Sequence, residues 1–277
     1  MQDAYAHCEA LVREADKDRF LASLFAPADR RPHLFALYGF NLEIARVGQL
    51  AHEPLAGEIR LQWWRDALSS RAPGDAAANP VAAALLDTIA RCGLPVAPLD
   101  ALIDARARDL YDDPIMTVSE LEAYARATAS TLFGMAARIL DRGAAPDDVA
   151  DPAGIAYALG GLLKAFPQHA ARGQLYVPIE TLERHGVARA EVIAGTAGAG
   201  LRAALAEIAS QARDRLAQAA RHWPSVPPAA RPAFLPLAWV APLLARVERN
   251  SDPFAPIDLP QWRRQWLLWR AARRGVF

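Results

Sequence analysis

The chain has 277 residues, 53 % of them hydrophobic, and 31 Lys plus Arg balance 31 Asp plus Glu. That length supports one large core or two small ones, and the neutral balance gives no global field that would argue for nucleic acid or an acidic partner. The two cysteines, Cys8 and Cys92, make neither a disulfide framework nor a zinc site and point to a reducing compartment.

Alanine is frequent and β-branched residues are sparse. Alanine loses the least freedom on entering a helix, so the composition predicts an all-α fold. The opening stretch, MQDAYAHCEALVREAD, contains acids and no apolar run, and so reads as neither a secretory signal nor a transit peptide. No window approaches the ~18 apolar residues of a spanning helix. A soluble, cytoplasmic protein is expected, at most peripheral to a membrane.

In chain order, a helix is predicted from about Asp3 to Ala15, then a short one that Pro27 closes. A third begins near Arg31-Pro32, with Leu34, Leu37, Tyr38, Asn41, Leu42 and Ala45 at helical spacing toward a core or cavity. A fourth opens on Gly57-Glu58, and Ile59, Gln62, Trp63 and Asp66 repeat the inward pattern. Asn79 restarts a helix that Gly93 ends, and Pro98 opens the next, which Pro114 stops. Thr117 or Ser119 caps a long helix reaching Leu140, with small residues at Ala125, Ala129 and Gly134 for close packing. Asp151-Pro152 caps a Gly-rich helix that Pro167 ends. A long amphipathic helix spans Leu201 to about His222, a Pro-rich elbow follows, and two last helical segments finish one all-α domain, residues 1–277.

The six histidines, His52 among them, show no ligand spacing, and no nucleophile elbow, P-loop or dinucleotide fingerprint is present. Asp112-Asp113 reads more readily as a solvated helix end than as a metal site. In the segment 255–277, Trp262, Trp266 and Trp269 share one helical face, with Arg263, Arg264, Arg270, Arg273 and Arg274 around the rest. That face suits a membrane surface or a partner; equally, the tryptophans could close the core.

DRFLASLFAPADRRPHLFALYGFNLEIARV with EIRLQWWRDAL, NPVAAALLDTIARCGLP, ALIDARARDL, YARATASTLFG and GIAYALGGLLKAFPQHAARGQLYVP resemble, in that order, the squalene/phytoene synthase family. The resemblance implies a helical bundle of the isoprenoid synthase type around a central cavity. Family enzymes join two prenyl diphosphates head to head, with Mg²⁺ held by two facing acidic clusters. The first cluster's positions fall here on Ala45 and Gln49, beside Arg46, and the second's fall on Gly161, Ala165 and His169, with Lys164 between them. Glu43 lies about 160° round the helix from Ala45. No catalytic residue, metal ligand or cofactor is therefore assigned; Mg²⁺ is implied only if enzymatic activity persists.

Arg46 and Lys164 would make the former acidic mouth neutral or positive. Together with Tyr38, Asn41, Arg172 and Tyr176 they form the candidate cavity and anion-binding set; alternatively, the two bases pair with Glu43, Glu58 or Asp66. The pattern is most similar to the family's non-catalytic branch, which includes a mitochondrial assembly factor for respiratory complex I. This implies a bacterial relative acting with a respiratory-complex subunit or assembly intermediate at the inner membrane. Two alternatives stand beside it. One is an active prenyltransferase on farnesyl or geranylgeranyl diphosphate that draws acids from Asp104, Asp109, Asp112 and Asp113. The other is a non-catalytic isoprenoid or lipid binder.

Overall fold

The computed structural model describes residues 1–50, 53–69, 73–144, 146–196 and 198–277; the side chains of Gln49, Pro73 and Asp75 also lie outside the described residues, as does His52. The described residues form helices and turns with no strand, as the alanine-rich composition predicts. The helices are α1 (Gln2–Ala15), α2 (Lys17–Ser23), α3 (Arg31–Leu50), α4 (Pro54–Leu68), α5 (Pro73–Ala78), α6 (Pro80–Cys92) and α7 (Ala97–Ala107) in the first part of the chain. They continue as α8 (Val118–Ala125), α9 (Thr131–Leu140), α10 (Asp147–Ala171), α11 (Ile179–Arg184), α12 (Arg189–Ile193), α13 (Ala199–His222), α14 (Val240–Arg249) and α15 (Gln261–Arg274). A 3₁₀ segment, Pro228–Trp239, follows the Pro-rich elbow and leads into α14. No helix among the described residues is long and apolar enough to cross a membrane.

Local chemistry fixes several of the starts. The Asn79 side chain accepts from the Val81 and Ala82 amides at 2.9 and 3.0 Å, and Thr117 accepts from the Glu120 amide at 3.1 Å. Both satisfy donors that a helix start leaves unpaired. α10 starts earlier and ends later than its prolines suggest, carrying Pro152 and Pro167 inside it. Each proline removes one backbone bond, and the long buried face against α13 holds the helix through both.

The stretch predicted as one helix from residue 117 to 140 is α8 and α9 joined by one π-helical turn, Arg126–Ser130. A wider turn carries an extra residue, and here it brings Ser130 against α10. Its hydroxyl donates to the Asp151 carbonyl at 2.8 Å. A Cβ added to Gly154 would lie 2.2 Å from the Ser130 backbone, so only glycine fits there.

α3 runs through the interior, with Leu34, Phe35, Leu37, Phe40 and Ile44 buried among α1, α6, α9 and α4. The Tyr5 hydroxyl donates to Asp87 at 2.8 Å and lies 3.0 Å from His33 Nδ1, which ties α1, α3 and α6 together. The inward face of α4 differs from the predicted one. Leu61, Trp64, Ala67 and Leu68 are buried, whereas Ile59 is 64 % exposed and Gln62 also faces out. Phe40 decides this, since its ring meets Trp64 at 5.1 Å and Trp63 is left edge-on to that pair.

Candidate functional site

Two polar clusters bracket the inward faces of α3 and α10. The first is built on α2. Asp16 accepts from the Arg19 amide at 3.0 Å and from its guanidinium at 2.8 Å. That guanidinium lies 5.4 Å from the Tyr38 ring on α3 and 5.0 Å from the Tyr157 ring on α10. Burial works against the Arg19 charge, yet Tyr157, Asp16 and Tyr38 together offset it and leave its pKa raised;. Burial also pushes the Tyr38 hydroxyl up to about 12. Trp239 packs on Tyr157 at 5.1 Å, and its buried Nε1 has no partner.

The second cluster centres on Asp109, just after α7. Its carboxylate accepts from the Tyr124 hydroxyl at 2.9 and 3.0 Å, from the Tyr176 hydroxyl at 2.8 Å and from the Arg106 guanidinium at 2.9 Å. Burial raises the pKa of both tyrosines, and the Asp109 charge adds to the rise at each. His169 packs on Tyr176 with ring centroids 4.7 Å apart and the planes tilted by 48°, and burial holds its imidazole below the ordinary range. Gly48 of α3 approaches the Asp109 carbonyl so closely that an added Cβ would sit 2.7 Å from its oxygen.

These contacts orient the two helices. Tyr38 and Tyr157 share Arg19 at one end, while Gly48 and His169 reach the Asp109 cluster at the other. The faces carrying Asn41 and Ala45 on α3, and Gly161, Lys164 and Ala165 on α10, therefore run in the same direction between the clusters. Asn41 is buried and its Oδ1 has no partner among the described residues. A Cβ on Gly161 would meet nothing within 4 Å, so space is open beside it. A separate, small cavity lies at His169. The cavity lined by Leu121, Leu163, Phe166, His169, Tyr176 and Ile208 holds about 10 Å³, room for about one water.

The charges expected at this mouth are differently partnered. Lys164 pairs with Asp258 at 3.1 Å and with none of Glu43, Glu58 or Asp66. Glu58 accepts from the Tyr111 hydroxyl, and Asp66 accepts from Gln62 at 3.0 Å. Asp258 lies in the segment before α15, which no local pattern connects to α10. Arg46 is half-buried and makes no ion pair or hydrogen bond among the described residues. Arg172 is exposed at the C-terminal end of α10. Tyr176 is committed to Asp109 and Tyr38 to the Arg19 cluster, which leaves Asn41, Arg46 and Lys164 of the predicted set on the two helices between the clusters.

Ala45, Gly161 and Ala165 offer no donor atom, the Gln49 side chain lies outside the described residues, and a neutral imidazole at His169 is a poor ligand for a hard cation. No group of three or more His, Cys, Asp or Glu among the described residues could hold a metal ion. The residues at these positions do not fit Mg²⁺. The alternative acids build no metal site among the described residues: Asp104 binds Arg65 at 2.5 and 3.0 Å, Asp109 is engaged by Arg106, Tyr124 and Tyr176, and Asp112 and Asp113, which line a small pocket beside it, are exposed. Sequence reasoning missed Asp16, Arg19, Tyr157 and Arg106. The one available signal was Asp16 as a cap three residues before Arg19.

α15 turns its tryptophans outward. Leu267, Leu268 and Ala271 are its buried residues, whereas Trp262, Trp266 and Trp269 are 69 %, 49 % and 48 % exposed. They do not close the core.

Comparison with known proteins matches residues 12–270 to the squalene/phytoene synthase family. The chain is 31 % identical to NADH dehydrogenase (ubiquinone) complex I, assembly factor 6, of Rattus norvegicus over 92 % of this chain and 77 % of that protein. The human protein of the same name is also 31 % identical, over 90 % and 76 %. A 15-cis-phytoene synthase of Synechococcus elongatus is 25 % identical over 95 % and 91 %. Among solved structures, squalene synthase HpnC from Alicyclobacillus acidocaldarius has a TM-score of 0.78 at 25 % identity, covering 92 % of this chain and 96 % of that one. A dehydrosqualene synthase in complex with ligand gives 0.84 at 20 % identity, over 99 % and 96 %, and shows the fold. An all-α bundle of the isoprenoid synthase type and a family match over nearly the whole chain lead to one assignment: the chain belongs to the squalene/phytoene synthase family.

Proposed function

We infer that this chain is a non-catalytic member of its family and serves as an assembly factor for respiratory complex I. One observation carries the reading: the positions onto which the family's metal-binding acids fall hold Ala45, Gln49, Gly161, Ala165 and His169, with no carboxylate among them. Without ligands for Mg²⁺, the departure of diphosphate from a prenyl substrate loses its main source of charge stabilisation. The similarity to assembly factor 6 supports the same reading, since it reaches 31 % identity against 25 % for the phytoene synthase. The protein would act in the cytoplasm at the inner membrane, on a complex I subunit or intermediate.

The test has two arms. The purified chain, incubated with farnesyl or geranylgeranyl diphosphate and Mg²⁺ or Mn²⁺, is expected to release no diphosphate. Deleting its gene in the native host is expected to lower complex I activity, with recovery on re-expression. Turnover at an ordinary enzymatic rate would instead favour a head-to-head prenyltransferase.

A binding role without chemistry is the second reading, favoured by the unpartnered Asn41 Oδ1 and the open space beside Gly161. An isoprenoid or other lipid found by mass spectrometry on the purified protein would support it.

A further inference from the structure

α15 contains five arginines and no acid, in a chain whose total charge is zero. Two sets of contacts fix its rotation. Leu267, Leu268 and Ala271 are buried, the latter two in a small cluster with Ala22 of α2 and Leu235 of the 3₁₀ segment. Arg264 donates to Asp18 of α2 at 2.7 Å, with both side chains largely enclosed. At 100° per residue, Trp262, Trp266 and Trp269 fall within an arc of about 60°, centred opposite that anchored face. Packing therefore requires the tryptophans to point away from the body of the protein.

The other arginines gather beside this arc. On the same geometry Arg263, Arg270 and Arg274 lie on one flank, and Arg273 falls within the arc itself. The Arg270 guanidinium stacks 4.9 Å from the Trp266 ring, and Arg273 stacks 5.1 Å from Trp269. None of these four makes an ion pair among the described residues; only Arg264 is neutralised. Three indoles are thus delivered to one depth, with guanidinium charges lying alongside them. α2, against which α15 packs, is followed by Leu24 and Phe25, which are also exposed.

Indoles settle where apolar and polar media meet, and arginines beside them take up anionic head groups; together they describe a helix lying in the plane of a bilayer surface. We propose that the Trp262–Trp266–Trp269 face of α15 docks the protein reversibly on an anionic lipid bilayer. A protein groove would want the apolar arc without a flank of unpaired cations. The arginines are what select the lipid surface, through charge complementarity on a helix that lacks any acid.

The test uses the full chain and two kinds of sedimenting vesicle: phosphatidylcholine alone, and phosphatidylcholine with about a third phosphatidylglycerol. The wild type should bind the anionic vesicles at least ~10-fold more tightly than the neutral ones, and should be released as salt approaches ~1 M, where screening is short-ranged. The triple variant Trp262→Ala, Trp266→Ala, Trp269→Ala should lose ~10-fold or more of that binding. Its circular dichroism and melting should be unchanged, because none of the three rings is buried. Changing Arg263, Arg270, Arg273 and Arg274 to Gln should abolish the preference for phosphatidylglycerol. The proposal is overturned if the wild type does not sediment with anionic vesicles, or if the triple variant sediments equally well. It is likewise overturned if light scattering shows a dimer that the triple variant dissolves while lipid binding is absent, which would give the face to a second copy.

Discussion

The Tyr176 hydroxyl donates to Asp109 Oδ1 at 2.8 Å, joining the segment after α10 to the turn after α7 across 67 residues of sequence. Asp109 also holds Arg106 and Tyr124, so its carboxylate is fully engaged inside the protein. Removing one member of such a network leaves the others buried and unpaired. Asp109→Asn is expected to cost about 2–4 kcal/mol in urea unfolding, chiefly through the stranded Arg106 charge. Tyr176→Phe, which removes one hydrogen bond, should cost about 1 kcal/mol. A loss below ~0.5 kcal/mol for Asp109→Asn would mean that the carboxylate is not structural and is available for chemistry.

The Trp63-Trp64 pair separates a core residue from a surface-leaning one. Trp64 is fully enclosed beside Phe40, so Trp64→Ala should destabilise by about 3–5 kcal/mol. Ile59→Ala should stay within about 0.5 kcal/mol of wild type, as an exposed side chain should. Thermal unfolding of the two variants checks both, and a large loss at Ile59 would restore the inward face predicted from spacing.

That reversal marks how far the sequence was legible. The predicted and the buried stripes on α4 are centred about 160° apart round the helix, and the position of Phe40 on another helix selects between them. The caps at Asn79 and Thr117, and the two motif-bearing helices, follow from local chemistry and were readable. The partners inside the site were not. Lys164 meets Asp258 and Arg264 meets Asp18 across 94 and 246 residues, and nothing in either neighbourhood announces the other. The π turn was hidden too, because the glycine it packs against, Gly154, lies on a different helix.

Two half-buried histidines set a pH dependence. Burial holds the imidazoles of His33 and His169 below their ordinary value, despite Asp87 near the first and Asp109 near the second, while Arg30 and Arg91, and Arg172, push the same way as burial. Below about pH 6.5 the unfolded chain takes up protons at both that the folded chain refuses. Stability should therefore be level above that pH and fall as pH drops below about 6.5. The double variant His33→Gln, His169→Gln should show a shallower fall in melting temperature over this window. An identical slope would assign the effect to other groups.

Gly154 offers the sharpest test of how α10 is seated. A Cβ at this position would lie 2.2 Å from the Ser130 backbone and 2.4 Å from its hydroxyl, and neither a shift of one rotamer nor a flexible tip can relieve a backbone contact. The π turn and α10 would have to separate, breaking the Ser130–Asp151 hydrogen bond and loosening the face that carries Tyr157 and Gly161. Gly154→Ala is expected to cost about 3 kcal/mol, at the upper end for overpacking, against a gain of up to ~1 kcal/mol from alanine's better helix propensity. Gly161→Ala, where the added methyl meets open space, should show that gain alone and match or exceed the wild-type melting temperature. If both variants behave alike, α8, α9 and α10 are not locked at the π turn, and the alignment of the two motif faces rests on the Arg19 and Asp109 clusters alone.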